Sequence, residues 1–398
     1  MPTRVRDTTD NSKDASWGGV FSMTLCVFIL IASEFMPVSL LTPISADLNV
    51  SEGLAGQGIA ISGAFAVFTS LFISTLAGNL DRKILLLGMT ALMTVSGAII
   101  GLAPSYLVYM AGRALIGIAV GGFWSMSAAT AIRLVPRDQV AKALAIFNGG
   151  NALATVIAAP LGSYLGAVIG WRGAFFCIVP VTIIAFIWQW FSLPVMVPDK
   201  KAKQPATVFS LFSNSVVVIG LAACGLLFMG QFSLFTYVRP FLETVTHVSV
   251  TTLSLILLII GVAGFLGTLV IGSFLRAGFY MTLVSIPCLM VIISVMLIAF
   301  GYSVWVVAPL LGFWGFIATA APTGWWTWIA RTLPDDAEAG GGLMVAVIQL
   351  SIALGSTIGG LAFDYSGWRS TFGLSSILLI IAAAFTFLTS RQDQQQHR

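Results

Sequence analysis

Residues 26–43 read Cys26-Val-Phe-Ile-Leu-Ile-Ala-Ser-Glu34-Phe-Met-Pro37-Val-Ser-Leu-Leu-Thr-Pro43. A helix of ~20 residues of this kind crosses the ~30 Å hydrocarbon core of a bilayer. An ionisable side chain within such a span is costly, and by default it marks a ligand site or a proton route. Glu34 is the only Asp or Glu in the mid-section of any apolar span in the chain. Two roles are open to it. It stays neutral and hydrogen-bonded inside a helix bundle, or it carries a proton or holds a substrate.

The rest of the 398 residues extends this reading. The chain is 58% hydrophobic and 9% charged, against roughly a quarter charged in soluble domains. Apolar spans fall near 20–42, 54–77, 84–102, 105–128, 142–165, 172–193, 214–237, 250–271, 279–300, 304–329, 342–363 and 371–389. They are too long and too uniformly apolar for barrel strands. The expected fold is therefore all-α and integral to the membrane, with twelve transmembrane helices. The first span contains Glu34 and has no cleavage site behind it, so it is expected to be kept as a helix. The net charge of +4 comes from residues in loops, with no basic stripe, which argues against a nucleic-acid partner. Cys26, Cys177, Cys224 and Cys288 each lie in an apolar span and read as small core residues. There is no P-loop, no HExxH, no G-x-S-x-G and no Cys/His cluster, so no enzyme, cofactor or metal is expected.

The longest polar interruption runs from Pro194 to Asn214. It suggests a six-helix half over 1–193, a cytoplasmic linker over 194–213 and a second six-helix half over 214–398. The halves repeat. Gly162…Gly170-Trp171-Arg172…Phe175 returns as Gly359…Gly367-Trp368-Arg369…Phe372 at an offset of 197, and Pro43 returns as Pro240. Arg133-Leu-Val-Pro136 answers Arg331-Thr-Leu-Pro334 at 198. Two pseudo-symmetric bundles of this kind place a transport site at the midplane between them. With a cytoplasmic N-terminus, fifteen Lys and Arg residues fall in inner segments and three (Arg172, Arg239, Arg369) in outer ones. Both termini are thus expected in the cytoplasm.

The repeat also pairs polar residues. Glu34 plus 197 is Gln231, and Asn151 plus 198 is Gln349. These four suggest a shared polar cavity; interhelical hydrogen bonding is the plainer alternative. Arg113 is the only strong base well inside a span. It should face the bundle interior and meet a carboxylate or a carbonyl. Arg113, Gly117, Gly121 and Trp124 share one helix face. The glycines there indicate close helix packing, and Trp124 either stacks on a flat ligand or packs. In the tenth span, Trp325, Trp326 and Trp328 read as an interfacial belt, and the deeper Trp314 as a cavity candidate. With no ATP site, uphill transport would draw on an ion gradient, for which a membrane-embedded Glu is suited.

These blocks resemble the major facilitator superfamily, and within it the bacterial proton antiporters that export drugs and metabolites, purine ribonucleosides among them. Gly78-Asn-Leu-Asp81-Arg82-Lys83 is similar to the superfamily's cytoplasmic loop signature, shortened before its last basic pair. Arg113-xxx-Gly117 resembles the fourth-helix motif linked to proton transfer, and Ala158-Ala-Pro160-Leu-Gly162 a degenerate antiporter motif. Similar blocks continue through Gly121-Gly-Phe-Trp124, Gly230-Gln231-Phe…Tyr237…Arg239-Pro240 and Val345-Ala-Val-Ile-Gln349-Leu. The resemblance implies export of inosine, guanosine or purine analogues in exchange for protons, from the bacterial inner membrane, by a monomer surrounded by lipid. It implies coupling by Glu34 and Arg113, and a gating loop at Asp81 and Arg82. Substrate would meet Glu34, Trp124, Asn151, Gln231, Tyr237, Trp314 and Gln349. Sugars or hydrophobic drugs are the same-fold alternative cargo. A non-transporting receptor or scaffold is the alternative of another class.

Overall fold

A computed structural model of the protein describes residues 16–77, 80–136, 139–196, 214–333 and 337–396. Residues 197–213 of the expected linker and Gly78-Asn79 of the expected loop signature lie outside the described residues. The helices are α1 Trp17–Leu48, α2 Glu52–Ala77, α3 Arg82–Gly101, α4 Tyr106–Leu134, α5 Val140–Phe176, α6 Ile178–Ser192, α7 Ser215–Phe235, α8 Val238–Thr244, α9 Val250–Ala277, α10 Phe279–Phe300, α11 Val304–Thr332, α12 Ala337–Ser366 and α13 Trp368–Gln396. Backbone groups in lipid have no water to bond, so uninterrupted helix is the only economical conformation for such apolar runs.

Eleven segments of the described residues are long and apolar enough to cross a membrane, one fewer than the sequence suggests. The difference lies in Gly149–Ser192, a single segment of 44 residues, about 66 Å at the rise of a helix. It is broken at Gly170, with φ 76 and ψ 162. Gly367, with φ 78, makes the same break between α12 and α13. Only glycine enters this backbone region without a steric cost, and the two glycines are 197 residues apart.

The offset reaches most of the long elements. Adding 197 to the first residues of α2, α3, α4 and α5 gives 249, 279, 303 and 337, within one residue of the starts of α9, α10, α11 and α12. Packing follows suit. α1 lies on α5 as α7 lies on α12; α2 on α4 as α9 on α11; α3 on α4 as α10 on α11. One apolar core is built mainly from α1–α6 and the other mainly from α7–α13. The two helical sets meet along α2–α12 and α5–α9. The approach is close: a Cβ on Gly63 would stand 2.9 Å from the carbonyl of Gln349, and one on Gly53 would strike Asp364 and the Gly360 carbonyl.

Two sequence expectations change here. Trp325 and Trp328 do not form an interfacial belt. Both are buried and pack edge to face at 5.5 Å, and only Trp326 is exposed. Trp328 fills a space that Gly220 opens on α7. Cys26 and Cys224 are core residues, but Cys177 and Cys288 are exposed, as an apolar side chain on a lipid-facing surface is free to be. Arg239 is 5% exposed within α8.

Candidate functional site

The site starts from a defect in α1. Pro37 has no N–H, so the carbonyl four residues back, that of Ser33, lacks its helical donor. Arg113 of α4, fully buried, fills the gap. Its Nη1 donates to the Ser33 carbonyl at 2.7 Å. Its Nη2 donates to the Glu34 carbonyl at 3.0 Å, and its Nε to the Gly58 carbonyl of α2 at 2.9 Å. The arginine thus meets carbonyls and fastens α1, α2 and α4 together at the level of Glu34. Gly117 and Gly121, further along the same face, rest on the backbone of Ser62 and Ala66 of α2.

The Glu34 carboxyl points elsewhere. It is 4% exposed, and its Oε1 accepts from Nε2 of Gln349 on α12 at 3.0 Å. Sequence symmetry pairs Glu34 with Gln231 and Asn151 with Gln349; in space the bond joins one member of each pair. Gln231 lies close by in register, because its neighbour Phe232 stacks on Phe35, the neighbour of Glu34, with centroids 5.7 Å apart. Gln231 Oε1 and Trp314 Nε1 are buried without a hydrogen-bond partner. A buried polar atom of that kind calls for a ligand, a water or a change of state. Trp124 and Asn151 are half-buried on α4 and α5.

Tyr237 is placed differently from the expectation of a cavity contact. It is fully buried and donates its hydroxyl to the Ser356 carbonyl at 2.7 Å. Its ring stacks on Phe363 at 5.3 Å and fills a slot between Gly56 and Gly360. Its hydroxyl bond and its stacking partner lie on α12, within the second set, and its contact with Gly56 of α2 reaches the first. Asp81 caps α3, accepting from the backbone N–H of Lys83 at 2.8 Å, and also accepts from the Met196 N–H at 2.9 Å. Arg82 donates its backbone N–H to the Met196 carbonyl. These contacts tie the Asp81–Arg82 turn to the segment after α6, within the first set.

Sequence reasoning missed Gln57, whose Oε1 accepts from Thr357 Oγ1 of α12 at 3.0 Å. A signal existed. Gln57 plus 197 is Ser254, and Ser254 makes the matching bond across α9–α5, to Ser163 at 3.0 Å.

Comparison with known proteins agrees with this arrangement. The family model of the Major Facilitator Superfamily matches residues 23–355. The chain is 60% identical over 396 residues, 98% of each protein, to the transcription regulatory protein OpdE of Pseudomonas aeruginosa PAO1. It is 40% identical over 368 residues, 92% of each protein, to the purine ribonucleoside efflux pump NepI of Salmonella enteritidis PT4. The crystal structure of a bacterial homologue of the human lysosomal transporter Spinster superposes with a TM-score of 0.75 at 16% identity, covering 96% of this chain and 98% of that one. With eleven apolar segments long enough to span a bilayer among the described residues, two repeated helical sets and a matched family model over most of its length, the chain belongs to the major facilitator superfamily, a family of membrane transporters.

Proposed function

We propose that the protein exports purine ribonucleosides, or purine analogues, from the cytoplasm in exchange for protons. The observation that carries the reading is the bond from Gln349 to Glu34, in which the one mid-span carboxyl is held across the two helical sets. The cargo rests on the 40% identity to an efflux pump named for purine ribonucleosides. Residues 1–193 and 214–398 act as two bodies joined by 194–213 and cross the inner membrane twelve times, Gly170 marking the turn between the fifth and sixth passages. The Lys and Arg bias puts both termini inside, so the end carrying residues 49–51 and 367 faces outward. The protein works as a monomer.

Glu34 offers an acceptor that Gln349 occupies. An N–H or O–H of a nucleoside competes for the same oxygen, and success frees Gln349 and loosens the sets. A proton on Glu34 changes what the carboxyl can accept. Cargo and proton then bias one two-state equilibrium in opposite directions, which is what exchange needs. Gln231 Oε1, lacking a partner, supplies a further acceptor for a purine edge.

Inverted vesicles from overproducing cells test this. An imposed pH gradient is expected to drive uptake of labelled inosine, and a protonophore to stop it. Uptake of sugars or hydrophobic drugs without any purine would transfer the cargo to those classes. Uptake of none would refute transport.

The 60% identity to a protein named as a transcription regulator favours a second reading, in which the chain alters transcription. An exporter does so by lowering the internal concentration of a small effector; a scaffold does so by contact. Transcript changes that vanish in Glu34→Gln support the first, and changes that persist support the second.

A further inference from the structure

We propose that Arg239 is a latch between the two helical sets, and that its keeper is a carbonyl that Pro43 leaves without a donor. Pro43 has no N–H, so the Ser39 carbonyl four residues back cannot be satisfied by α1. Arg239 on α8, in the second set, donates its Nη1 to that carbonyl. Its Nε and Nη2 face Glu243 Oε1, one turn along α8, at 2.9 and 2.8 Å. One guanidinium therefore grips its own helix with two donors and the opposite set with a third. A planar fork can do both at once, whereas the point charge of a lysine cannot.

The contrast with Arg113 gives the contact its meaning. Each proline of α1 orphans one carbonyl, and each carbonyl is met by a buried arginine. Arg113 and Ser33 belong to the same set, so their bond persists however the sets move. Arg239 and Ser39 belong to different sets, so their bond exists only while these ends are together. That it is broken in a working cycle rests on the alternating-access reading above. When the ends part, water reaches both groups, and the guanidinium retains Glu243.

A second crossing bond behaves alike. Asp364 of α12 accepts from Ser51 Oγ and from the Gly53 N–H at 3.0 Å, capping the first turn of α2 from the opposite set. Ser51 Oγ also accepts from the Leu54 N–H at 3.1 Å. When Asp364 leaves, α2 keeps this cap of its own. Both contacts thus favour the closed outer end without leaving a bare helix terminus when it opens.

Hydrogen–deuterium exchange of the full-length protein in lipid nanodiscs tests the latch, read on segments 44–57 and 236–248 at the outer end and 268–282 at the inner. Arg239→Gln is expected to raise outer exchange about tenfold relative to inner, the weight of one charge-assisted bond. Pro43→Ala gives the Ser39 carbonyl a helical N–H that shares it with Arg239, as the Glu34 and Gly58 carbonyls are shared with Arg113, so it is expected to speed exchange in 236–248 by less than Arg239→Gln. The double variant should go no further than Arg239→Gln alone. Unchanged outer exchange in Arg239→Gln at an unchanged melting temperature would overturn the proposal, as would two effects that multiply. If Arg239→Gln does not fold, Arg239→Lys decides alone: it keeps a cation for Glu243 but cannot also grip Ser39, and unaltered outer exchange counts against the latch. No cargo enters this measurement, so a failure to transport nucleosides would refute the proposed cargo and leave the latch result standing.

Discussion

Arg113→Ala separates the two tasks that Arg113 performs. Three carbonyls lose a donor in this variant, but they are not equal. Those of Glu34 and Gly58 keep helical donors, the N–H groups of Val38 and Ser62, whereas that of Ser33 has none because residue 37 is proline. A buried acceptor left without a partner costs about 1–3 kcal/mol. Removing the guanidinium also removes the penalty for burying its charge, so the single variant alone does not isolate the carbonyl. Adding Pro37→Ala does, because an alanine at that position supplies Ser33 with the missing N–H. The double variant is expected to be more stable than Arg113→Ala by that same ~1–3 kcal/mol, a rise of a few degrees in the melting temperature of purified protein. Transport behaves otherwise if the cation serves coupling. Arg113→Ala is expected to insert normally and lose proton-driven inosine uptake, and the double variant to regain stability without uptake. Arg113→Lys, which cannot span three carbonyls, should lose most uptake. A double variant no more stable than the single would refute the assignment of Ser33 as the orphan. Full uptake by Arg113→Ala at normal expression would reduce Arg113 to a packing residue.

Three further outcomes can be checked. Glu34→Gln keeps an acceptor for Gln349 but cannot exchange a proton; it should abolish pH-driven accumulation in inverted vesicles, and wild-type uptake with wild-type pH dependence would remove Glu34 from the centre of the reading. Inosine should still stabilise this variant thermally if Glu34 only couples, and less so if it also contacts cargo. Tyr237→Phe deletes the bond to the Ser356 carbonyl and should lower stability by about 0.5–1.5 kcal/mol with Km for cargo unchanged; a tenfold change in Km would return Tyr237 to the binding site. Gly53→Val places a side chain against Asp364 and the Gly360 carbonyl; uptake should fall while insertion is normal, and unaltered uptake would show that this seam opens and closes without close contact.

How much of this was legible in the sequence depends on the range over which each feature acts. Membrane helices are decided by local composition, and the repeat by a constant offset, so both are visible without coordinates. Burial of Glu34 and Arg113 followed from the cost of charge in lipid. The partner of each did not. Arg113 was expected to meet a carboxylate or a carbonyl, and the choice depends on Pro37, four residues from Ser33 but on another helix from Arg113. Tyr237 and the pair Trp325 and Trp328 look from their spacing like surface or cavity aromatics. Glycines far away in sequence, Gly56 and Gly360 for Tyr237 and Gly220 for Trp328, open the slots that bury two of them. The Gln57–Thr357 bond was within reach, since the offset relates Gln57 to Ser254, but a lone glutamine in an apolar helix carries no local sign of its use.

The repeat is also informative where it fails. Glu34 has Gln231 as its counterpart, Pro37 has Leu234, and Arg113 has Leu310. At the depth of Glu34 the carboxyl, the orphaned Ser33 carbonyl and the buried cation thus all belong to the first set, while the second supplies neutral partners there, Gln231 and Gln349, and keeps its own buried cation, Arg239, on α8. A proton gained or lost in the first set changes the charge of that set alone. What it alters across the seam is a single amide contact, from Gln349 to Glu34. If the proposed exchange holds, a charged centre at this depth in one body and a neutral partner in the other would let protonation be transmitted by making or breaking one hydrogen bond, without carrying a charged pair apart through lipid. The cost of such a step is that of an amide bond exchanged for water or cargo, about 0.5–1.5 kcal/mol, small enough for either ligand to reverse.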